Sequence, residues 1–396
     1  MSDIIFEVTE ENLETGLRGY PVGYCITSKA DPHKGLHYRE IPVTDLVDTP
    51  PEEVMYLLYS GERDTGPKFK EFQKKLKSQC QLSSAMTKHI HSLPRHGHPM
   101  KLFAAAILIL GMLESTGDYE KDGINLIAKM PHLAATVINH HAGWGDTPNP
   151  DANSTYIENF VNMLNVPGKD KHVLLETMSL FNILHMDHGG GNLSAFIAKA
   201  ISSGHEDMFG SISGAMNALE GPLHGKANEN GLKFVREMME AVGENGTIEE
   251  IMTQTQKLLD AKELIYGFGH AVLRVEDPRA TIFYDFGKKH FPEFNLVKTA
   301  LKMRQGCVDT LKKNPKISNP YPNVDAISGS ILSASGFAYP EYFTILFGLS
   351  RTVGLVTQIV YDRTIARGGK GTPIVRPKYI YVPASELLNM QSKKAG

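Results

Sequence analysis

Four short turns of this sequence each place an ionisable side chain beside glycine or proline. The turns read HMDHGGGN, GPLHG, GFGHAVLRVEDPRA and NPYPNVD, and they span residues 185–192, 221–225, 267–280 and 319–325. Glycine and proline interrupt helices, and loops held between rigid helices often carry catalytic groups. One histidine near a turn is usually a cap or a satisfied polar contact, so the functional signal lies in the four turns together.

Asp325 and two histidines, His224 and His270, are the side chain types that proton abstraction from carbon requires. A carboxylate removes such a proton only where the enolate that forms is stabilised. His224 and His270 can donate the stabilising hydrogen bonds, and Asp325 can act as the base. Asp325 is also a good N-cap for the apolar segment that follows it, and this structural interpretation stays open beside the catalytic one.

The HMDH segment supports two different interpretations. Two histidines around Asp187 resemble part of a metal-dependent hydrolase site built on His185, Asp187 and His188. Metal sites need three or four donors, however, and Ile183, two residues before His185, cannot ligate. In the second interpretation His188 hydrogen-bonds an anionic ligand, helped by the backbone N–H groups of residues 189–192 at the start of the next helix.

Arg351 lies inside the apolar stretch YFTILFGLSRTVGLV, where a guanidinium is costly to bury without a partner. It forms either an internal ion pair with Asp or Glu, or a planar fork that binds a substrate carboxylate. Arg279, Arg274 and Arg376 lie on other segments flanked by glycine or proline. Several arginines together with His188 would suit a small dicarboxylate, whereas Arg274 and Arg376 taken alone are typical of solvated surface residues.

Helices must position these turns, because helical periodicity dominates the sequence between them. Twelve segments carry apolar residues at three- and four-residue spacing, and strand-like alternation is scarce. We therefore predict an all-α protein of about 15 or more helices, with small strands at the chain ends such as Lys378–Val382. The predicted helices cover residues 52–60, 68–76, 102–113, 119–142 with a break at Pro131, 156–164, 171–185, 194–203, 208–219, 228–242, 248–262, 291–313 and 341–365.

The composition is that of a soluble globular protein. Of 396 residues, 41% are hydrophobic and 21% charged, and 41 Lys and Arg against 44 Asp and Glu lack the basic excess of a nucleic-acid binder. Three cysteines without a CxxC pair indicate a reducing compartment. The acidic MSDIIFEVTEEN resembles neither a signal nor a transit peptide, and the apolar residues 342–361 contain Arg351. We therefore expect a cytoplasmic enzyme without a membrane or nucleic-acid partner.

Taken together, the motifs resemble the citrate synthase family in order and spacing. The matching segments run from about residue 17 to 380 and are LRGYPVG, HPMKLFAAAI, GPLHGKAN, GFGHAVLRVEDPR, NPYPNVDAISG, TILFGLSRTVG and RPK. HMDHGGGNLSAF and AMNALEGPLHG are most similar to the form typical of mitochondria and some bacteria. The resemblance implies an all-α homodimer, in which a small domain of residues 226–336 closes over a large domain of residues 1–225 and 337–396.

The resemblance also implies the condensation of acetyl-CoA with oxaloacetate and water to citrate and CoA, with no metal or other cofactor. In this assignment Asp325 removes a methyl proton from acetyl-CoA and His224 stabilises the enol. His270 polarises the oxaloacetate carbonyl and serves again in the hydrolysis of citryl-CoA. The oxaloacetate ligands are His188, Arg279, Arg351 and the partner subunit's Arg376. The CoA contacts are Arg18, Arg274, Leu264, Tyr266, Gly267 and Gly269.

Other functions fit parts of the same pattern. A 2-methylcitrate synthase would use propionyl-CoA with the same residues, because one methylene changes binding by only about 1–3 kcal/mol. A metal-dependent hydrolase on the HMDH segment and a non-catalytic helical scaffold are alternatives from other classes. The chain also departs from the family pattern in the Gly/Lys-rich insertion Arg367–Thr372, so the motif leaves the reach of Arg376 open.

Overall fold

The structure is a computed structural model that describes residues 4–168 and 170–386. Fifteen α-helices supply most of the regular structure in those residues, which confirms the all-α prediction. The helices are α1 Pro51–Ser60, α2 Pro67–Gln79, α3 Ser84–Ser92, α4 Pro99–Glu114, α5 Tyr119–Ala142, α6 Tyr156–Met163, α7 Lys171–His185, α8 Leu193–Ser203, α9 Met208–Leu219, α10 Ala227–Val242, α11 Ile248–Asp260, α12 Pro278–His290, α13 Asn295–Leu311, α14 Ser328–Ala334 and α15 Phe343–Val360.

Helix α15 forms the centre of the larger group of helices. It packs against α1, α5, α7, α8 and α9, and every residue of it except Phe347 is buried. A helix that is apolar on all sides belongs in a core or in a membrane. The apolar run Pro340–Ile365 is long enough to cross a bilayer, but 94% of its most apolar window is buried inside the protein. It therefore has the surroundings of a core helix.

A second group consists of α10, α11, α13 and α14, which pack on one another, with α12 packed against α13 and α14. This group contacts the first through α7 and α15. It falls within residues 226–336, the range of the predicted small domain. The division into a large and a small domain stays a prediction.

Helix α5 is continuous through Pro131, so the predicted break is wrong. Proline lacks an N–H group and leaves the carbonyl four residues earlier without its helical partner. That carbonyl belongs to Ile127, and it accepts a hydrogen bond from the Tyr156 hydroxyl at 3.0 Å. A side chain from α6 thus supplies the donor that proline removes, which no local pattern in α5 could indicate.

Three helices were not predicted, and of the small strands expected at the chain ends, those of the described residues lie only towards the N-terminal end. The helices α3, α12 and α14 are short or begin inside turns with functional residues; α12 begins at Pro278, with Asp277 as its N-cap. The antiparallel sheet has the order β1 Ser28–Asp31, β2 Gly35–Tyr38 and β3 Ile41–Pro42. The predicted strand Lys378–Val382 is wrong, because this segment is extended without a β partner among the described residues.

The Gly/Lys-rich insertion Arg367–Thr372 folds back on the end of α15, which continues as a π-helical turn. Gly371 donates its N–H to the carbonyl of Ala366 at 3.0 Å, and Thr372 donates to the carbonyl of Asp362 at 2.9 Å. The chain therefore leaves the insertion close to where it entered.

Candidate active site

Backbone and side-chain hydrogen bonds join two of the predicted catalytic turns, the His270 loop (residues 266–277) and the Asp325 loop (residues 319–326). Gly269 donates its N–H to the carbonyl of Tyr321 at 2.8 Å. The side-chain amide of Asn323 donates back to the carbonyl of Gly269 at 2.9 Å. The two loops are consequently held as one unit, and this unit carries both the candidate base and one candidate hydrogen-bond donor.

Asp325 is partly buried, and its carboxylate accepts no hydrogen bond from the residues that the structure describes. Burial raises its pKa to about 7, with the nearby cation Arg279 acting in the opposite direction. The N-cap of the short turn at this point is Asn323, whose side chain accepts the Asp325 N–H at 2.9 Å. The N-cap interpretation of Asp325 is therefore wrong. Its carboxylate is buried, free of hydrogen bonds from the described residues and close to neutral in pKa, which are properties of a general base.

Each candidate histidine is fixed in one tautomer. Nε2 of His224 contacts both the N–H of Ser194, at 3.3 Å, and the Ser194 hydroxyl, at 3.0 Å. Because a backbone N–H can only donate, this arrangement assigns Nε2 as the acceptor and the ring proton to Nδ1. The N–H groups of Val272 and Leu273 donate to Nδ1 of His270, both at 3.0 Å, which leaves the proton on Nε2. Burial lowers both pKa values to about 4. Both rings are thus neutral near pH 7 and each has one N–H to donate.

His188 lies beside His270, with the two ring centroids 5.5 Å apart. Burial lowers the pKa of His188 well below its usual value, and the positive charges of Arg279 and Arg351 lower it further. A neutral imidazole among cations can donate a hydrogen bond to an anion without adding a charge that needs its own partner. The anion-binding interpretation of His188 suits these surroundings.

Arg279 is 4% exposed and forms a tight ion pair with Asp277, with 2.7 Å between Nη2 and Oδ2. Burial alone would raise the pKa of Asp277, but the charge and hydrogen bonds of Arg279 hold it at about 2. The backbone N–H of Arg279 also donates to Asp277, which caps α12. The ion pair therefore fixes the guanidinium at the start of this helix.

Arg351 is 1% exposed and forms no ion pair with Asp or Glu in the described part of the chain, so the internal ion-pair interpretation is wrong. Its Nε donates to the carbonyl of His185 at 3.0 Å, and its guanidinium lies 4.7 Å from the centre of the Phe347 ring. Burial lowers its pKa to about 10. The terminal nitrogens of this buried cation are left for a ligand.

The metal-site interpretation of the HMDH segment fails on geometry. Nδ1 of His185 hydrogen-bonds the carbonyl of Phe181 at 2.8 Å, and the two rings stack with centroids 4.0 Å apart. The Asp187 carboxylate is occupied by hydroxyl and amide donors, while His188 lies against His270. No group of three His, Cys, Asp or Glu side chains placed to hold a metal occurs among residues 4–168 and 170–386.

The turn predicted to contact CoA is exposed and borders a cavity. Leu264 is 64% exposed and Tyr266 40% exposed, and both line a cavity of about 220 Å³ with Phe234. Gly267 and Gly269 have positive φ angles of 81° and 88°, and a Cβ on Gly267 would lie 2.6 Å from Cα of Ala326. Glycine is thus needed here both for the turn and for its packing against the Asp325 loop.

The two arginines predicted to contact CoA are both exposed. Arg18 is exposed in the N-terminal segment, and its guanidinium has no hydrogen bond or ion pair within the described residues. Nη1 of Arg274 donates to carbonyl oxygens of its own loop, including those of Leu273 at 2.9 Å and Val272 at 3.1 Å. In this arrangement Arg274 supports the His270 loop.

Arg376 is exposed on the extended tail and does not join the cluster of its own chain. The preceding residue, Val375, donates its N–H to the Ser203 hydroxyl at 2.9 Å, at the end of α8. Ser194, which contacts His224, lies at the start of the same helix. The separation of nine positions corresponds to about 13 Å of helix, so the tail docks at the end of α8 that is remote from the site.

Several residues that shape the site were not predicted. Ser194 sets the His224 tautomer, Asn323 binds the two loops together, and Asp277 holds Arg279. All three lie inside the motifs quoted above. Their roles depend on partners elsewhere in the chain, so spacing along the sequence alone could not assign them.

A family model described as "Citrate synthase, C-terminal domain" matches residues 16–378. The chain belongs to the citrate synthase family. The mitochondrial citrate synthase of Citrus maxima is 33% identical over 389 residues, covering 92% of this chain and 81% of that protein. The mitochondrial 2-methylcitrate synthase of Yarrowia lipolytica is 32% identical over 400 residues, covering 95% of this chain and 84% of that protein. The crystal structure of citrate synthase from Thermotoga maritima superposes with a TM-score of 0.79 at 27% identity, covering 94% of this chain and 96% of that one.

Membership of the citrate synthase family confirms the resemblance drawn from the motifs but overturns one prediction. The expectation of a cytoplasmic enzyme is wrong: relatives from Citrus maxima, Daucus carota and Saccharomyces cerevisiae are named mitochondrial citrate synthases. The expectation depended partly on the acidic first residues, and these carry no information about any segment that precedes them.

Proposed function

We propose that this protein catalyses the condensation of acetyl-CoA with oxaloacetate and water to give citrate and free CoA. The observation that carries the proposal is Asp325, a carboxylate without a hydrogen-bond partner among the described residues and with a pKa of about 7, in a loop joined to that of His270. A base with this pKa is suited to proton abstraction at neutral pH. The family membership described above supports the same reaction.

In the first step Asp325 takes a proton from the methyl group of acetyl-CoA. The electron pair of the C–H bond moves toward the thioester oxygen, where negative charge develops. His224, with its proton on Nδ1, donates a hydrogen bond to that oxygen. A donor placed where charge develops typically accelerates such a step by about 10²–10³-fold.

In the second step the enol carbon attacks the ketone carbon of oxaloacetate. His270 donates from Nε2 to the ketone oxygen and supplies the proton that this oxygen takes up, and it recovers a proton from the water that later attacks the thioester. His188, Arg279 and Arg351 bind the two carboxylates and hold the ketone in line. Water then gives one proton to His270 and its hydroxide cleaves the thioester of citryl-CoA. The leaving CoA thiolate takes up the proton held by Asp325, and the new carboxyl group of citrate loses its proton to solvent.

The CoA part of the substrate lies along the exposed turn of residues 264–269 in this proposal. The cavity beside Leu264 and Tyr266 offers an apolar wall for a nucleotide base. Arg18 and Arg274 supply positive charge for phosphates, which requires Arg274 to exchange its loop carbonyls for the ligand. No resident cofactor is needed in this scheme, because arginines and histidines supply the positive field for the dianion.

We also propose the homodimer and the domain closure implied by the motifs. Apolar side chains are exposed on α4, where Met112 is 82% exposed, and on the tail, where Tyr379 and Tyr381 are 90% and 89% exposed. Apolar surfaces of this kind are typical of interfaces. A second copy would cover them and would bring the partner subunit's Arg376 to the oxaloacetate site, while residues 226–336 close over the bound substrates and exclude water.

A 2-methylcitrate synthase is the second candidate, favoured by the relative of that name in Yarrowia lipolytica. It differs by one methylene in the acyl group, and that difference is decided by the shape of the acyl pocket rather than by the catalytic residues.

The deciding experiment measures release of CoA thiol with oxaloacetate, offering acetyl-CoA and propionyl-CoA separately. A kcat/KM at least tenfold higher for acetyl-CoA is expected, and a preference for propionyl-CoA would move the assignment to 2-methylcitrate synthase. Reactions without oxaloacetate provide the control, since thioester hydrolysis alone would also release thiol. Release that does not depend on oxaloacetate would contradict both proposals.

A further inference from the structure

The carboxylate of Asp187 is fully buried, and the reaction above does not use it. It accepts hydrogen bonds from the Ser28 hydroxyl at 2.6 Å, from Nε2 of Gln358 at 2.9 Å and from the Thr27 hydroxyl. No Lys, Arg or His of the described residues lies within ion-pair distance of it. Burial of a carboxylate without a cation costs free energy. Each neutral hydrogen-bond donor to Asp187 therefore offsets part of this cost.

Asp187 belongs to a segment that lies along one face of α15. Residues 351, 354 and 358 of this helix share a face, because they follow the i, i+3, i+7 spacing. Each of the three donates a hydrogen bond to the segment 185–187. The contacts, in order, are Nε of Arg351 to the His185 carbonyl at 3.0 Å, the N–H of Gly354 to the Met186 carbonyl at 3.1 Å, and Gln358 to Oδ1 of Asp187.

The middle contact requires glycine. A Cβ on Gly354 would lie 2.4 Å from Oδ1 of Asp187 and 2.6 Å from its Cβ, well inside van der Waals contact. Only a residue without a side chain lets the carboxylate reach Gln358 while its backbone lies on the helix. The segment before His188 is therefore fixed relative to Arg351.

The other oxygen of Asp187 is connected to the residue that follows His188. The Ser28 hydroxyl donates to Oδ2 of Asp187 and accepts the N–H of Gly189 at 2.5 Å. Gln358 makes a longer contact, 3.4 Å, with the carbonyl of Gly189. The backbone is thus held on both sides of His188 through one carboxylate.

We propose that Asp187 is a positioning residue for oxaloacetate binding. It acts through Ser28 and Gln358 to hold His188 at a fixed position relative to Arg351. This inference rests on the proposed function, since it takes His188 and Arg351 as ligands of the oxaloacetate carboxylates. The negative charge of Asp187 also opposes the effect of burial on the neighbouring Arg351 and favours its charged form.

The test compares Asp187→Asn, Ser28→Ala and Gln358→Leu with the wild-type protein. We expect each variant to raise the KM for oxaloacetate by about 10- to 100-fold, as small displacements of a substrate-binding group do, while the KM for acetyl-CoA changes less than about twofold. Isothermal titration calorimetry with oxaloacetate alone should show an increase in Kd by the same factor. The Asp187→Asn and Gln358→Leu effects should not add, because the two side chains bond each other.

Asp122→Asn is the matched control. Asp122 is 1% exposed and accepts hydrogen bonds from Ser115 and Thr116 at the start of α5, outside the site. It should lose thermal stability but keep its KM for oxaloacetate. If Asp187→Asn behaves like Asp122→Asn, with a lower Tm and unchanged oxaloacetate KM and Kd, Asp187 is structural only and the proposal is wrong.

If Asp187→Asn does not fold, Ser28→Ala still tests the proposal, because it removes the hydroxyl that joins Asp187 to Gly189 and leaves the buried carboxylate in place. An unchanged oxaloacetate KM in a folded Ser28→Ala protein would also overturn the proposal. Failure of the wild-type protein to release thiol in the presence of oxaloacetate would instead count against the proposed function. The two failures are therefore separate.

Discussion

The ionisation of single side chains decides what this site can do. Asp325 is poised to gain or lose a proton near pH 7, whereas His224 and His270 stay neutral down to about pH 5 because burial lowers their pKa values to about 4. The site therefore contains one group that exchanges a proton readily and two that donate hydrogen bonds without a net charge. This division suits enolisation, in which the base and the donors act on different atoms of one substrate.

Asp325→Asn should reduce kcat by roughly 10²–10⁴-fold, the usual contribution of a general base, and should leave oxaloacetate binding intact. Burial holds the pKa of Asp325 above its unfolded value of 3.8, so its contribution to stability is present below about pH 4 and is lost as the pH rises through about 7. The variant should therefore be more stable than wild type at about pH 8, by up to about 4 kcal/mol, with the difference disappearing near pH 4. Turnover assays and urea unfolding at both pH values measure this. A variant with near wild-type kcat would show that another group is the base.

The pH profile of the wild-type enzyme gives a second residue-scale prediction. Because Asp325 must be ionised to accept a proton, kcat/KM for acetyl-CoA should rise with pH and level off above an apparent pKa of about 7. The histidines should add no further limb between about pH 5 and 7, since both remain neutral there. Rates constant from about pH 5 to 8 would contradict the raised pKa.

At the scale of elements, close backbone approaches hold the reactive loops in place. Helix α10 supports the Asp325 loop through Gly231, where a Cβ would lie 2.3 Å from the Asp325 carbonyl oxygen. The His270 loop approaches the same loop through Gly267. The position of the base thus depends on two glycines that take no part in chemistry.

Gly231→Ala should lower kcat by about tenfold or more, because the new methyl group pushes the Asp325 loop away from the thioester. Alanine normally stabilises a helix interior by about 1 kcal/mol relative to glycine, so a fall in Tm here would itself report the clash. Gly23→Ala is the control, since no heavy atom lies within 4 Å of a Cβ built there. Equal kcat values for Gly231→Ala and the control would disprove the close approach.

The helical elements were largely predictable, whereas their contacts were not. Periodicity predicted twelve helices, but α3 and α14 have only nine and seven residues, too short for a clear apolar stripe. The Tyr156 hydroxyl that satisfies the Ile127 carbonyl comes from a different helix, so the uninterrupted course of α5 could not be predicted locally. For the same reason the motifs indicated His224 and His270 as donors, but their tautomers depend on N–H groups that only the fold supplies.

For the whole molecule, the site described in one chain lacks one of its predicted ligands. The exposed tail carries Arg376 to the far end of α8, and apolar side chains on α4 and the tail are left uncovered in a single chain. A symmetric dimer would resolve both features, because each tail could complete the site of the other chain.

Arg376→Gln and Asp325→Asn chains, co-expressed with different affinity tags, test this exchange. If Arg376 acts across the dimer, the purified heterodimer has one complete site, which takes its arginine from the Asp325→Asn chain. It should show about half of wild-type turnover, while each variant homodimer is nearly inactive. A heterodimer as inactive as the two homodimers would place Arg376 in the site of its own chain.

The folded-back insertion of residues 367–372 has a practical consequence. Its two ends are joined by the hydrogen bonds from Gly371 and Thr372, and Gly368, Gly369 and Lys370 at its tip are exposed. Lengthening a closed loop is cheap, at about 0.6 kcal/mol for each doubling. A peptide epitope or a fluorophore-binding tag placed between Gly369 and Lys370 would therefore be displayed on the surface and leave the path of the tail intact. Such a tag would allow the protein to be immobilised or followed in cells without attaching anything to either end of the chain.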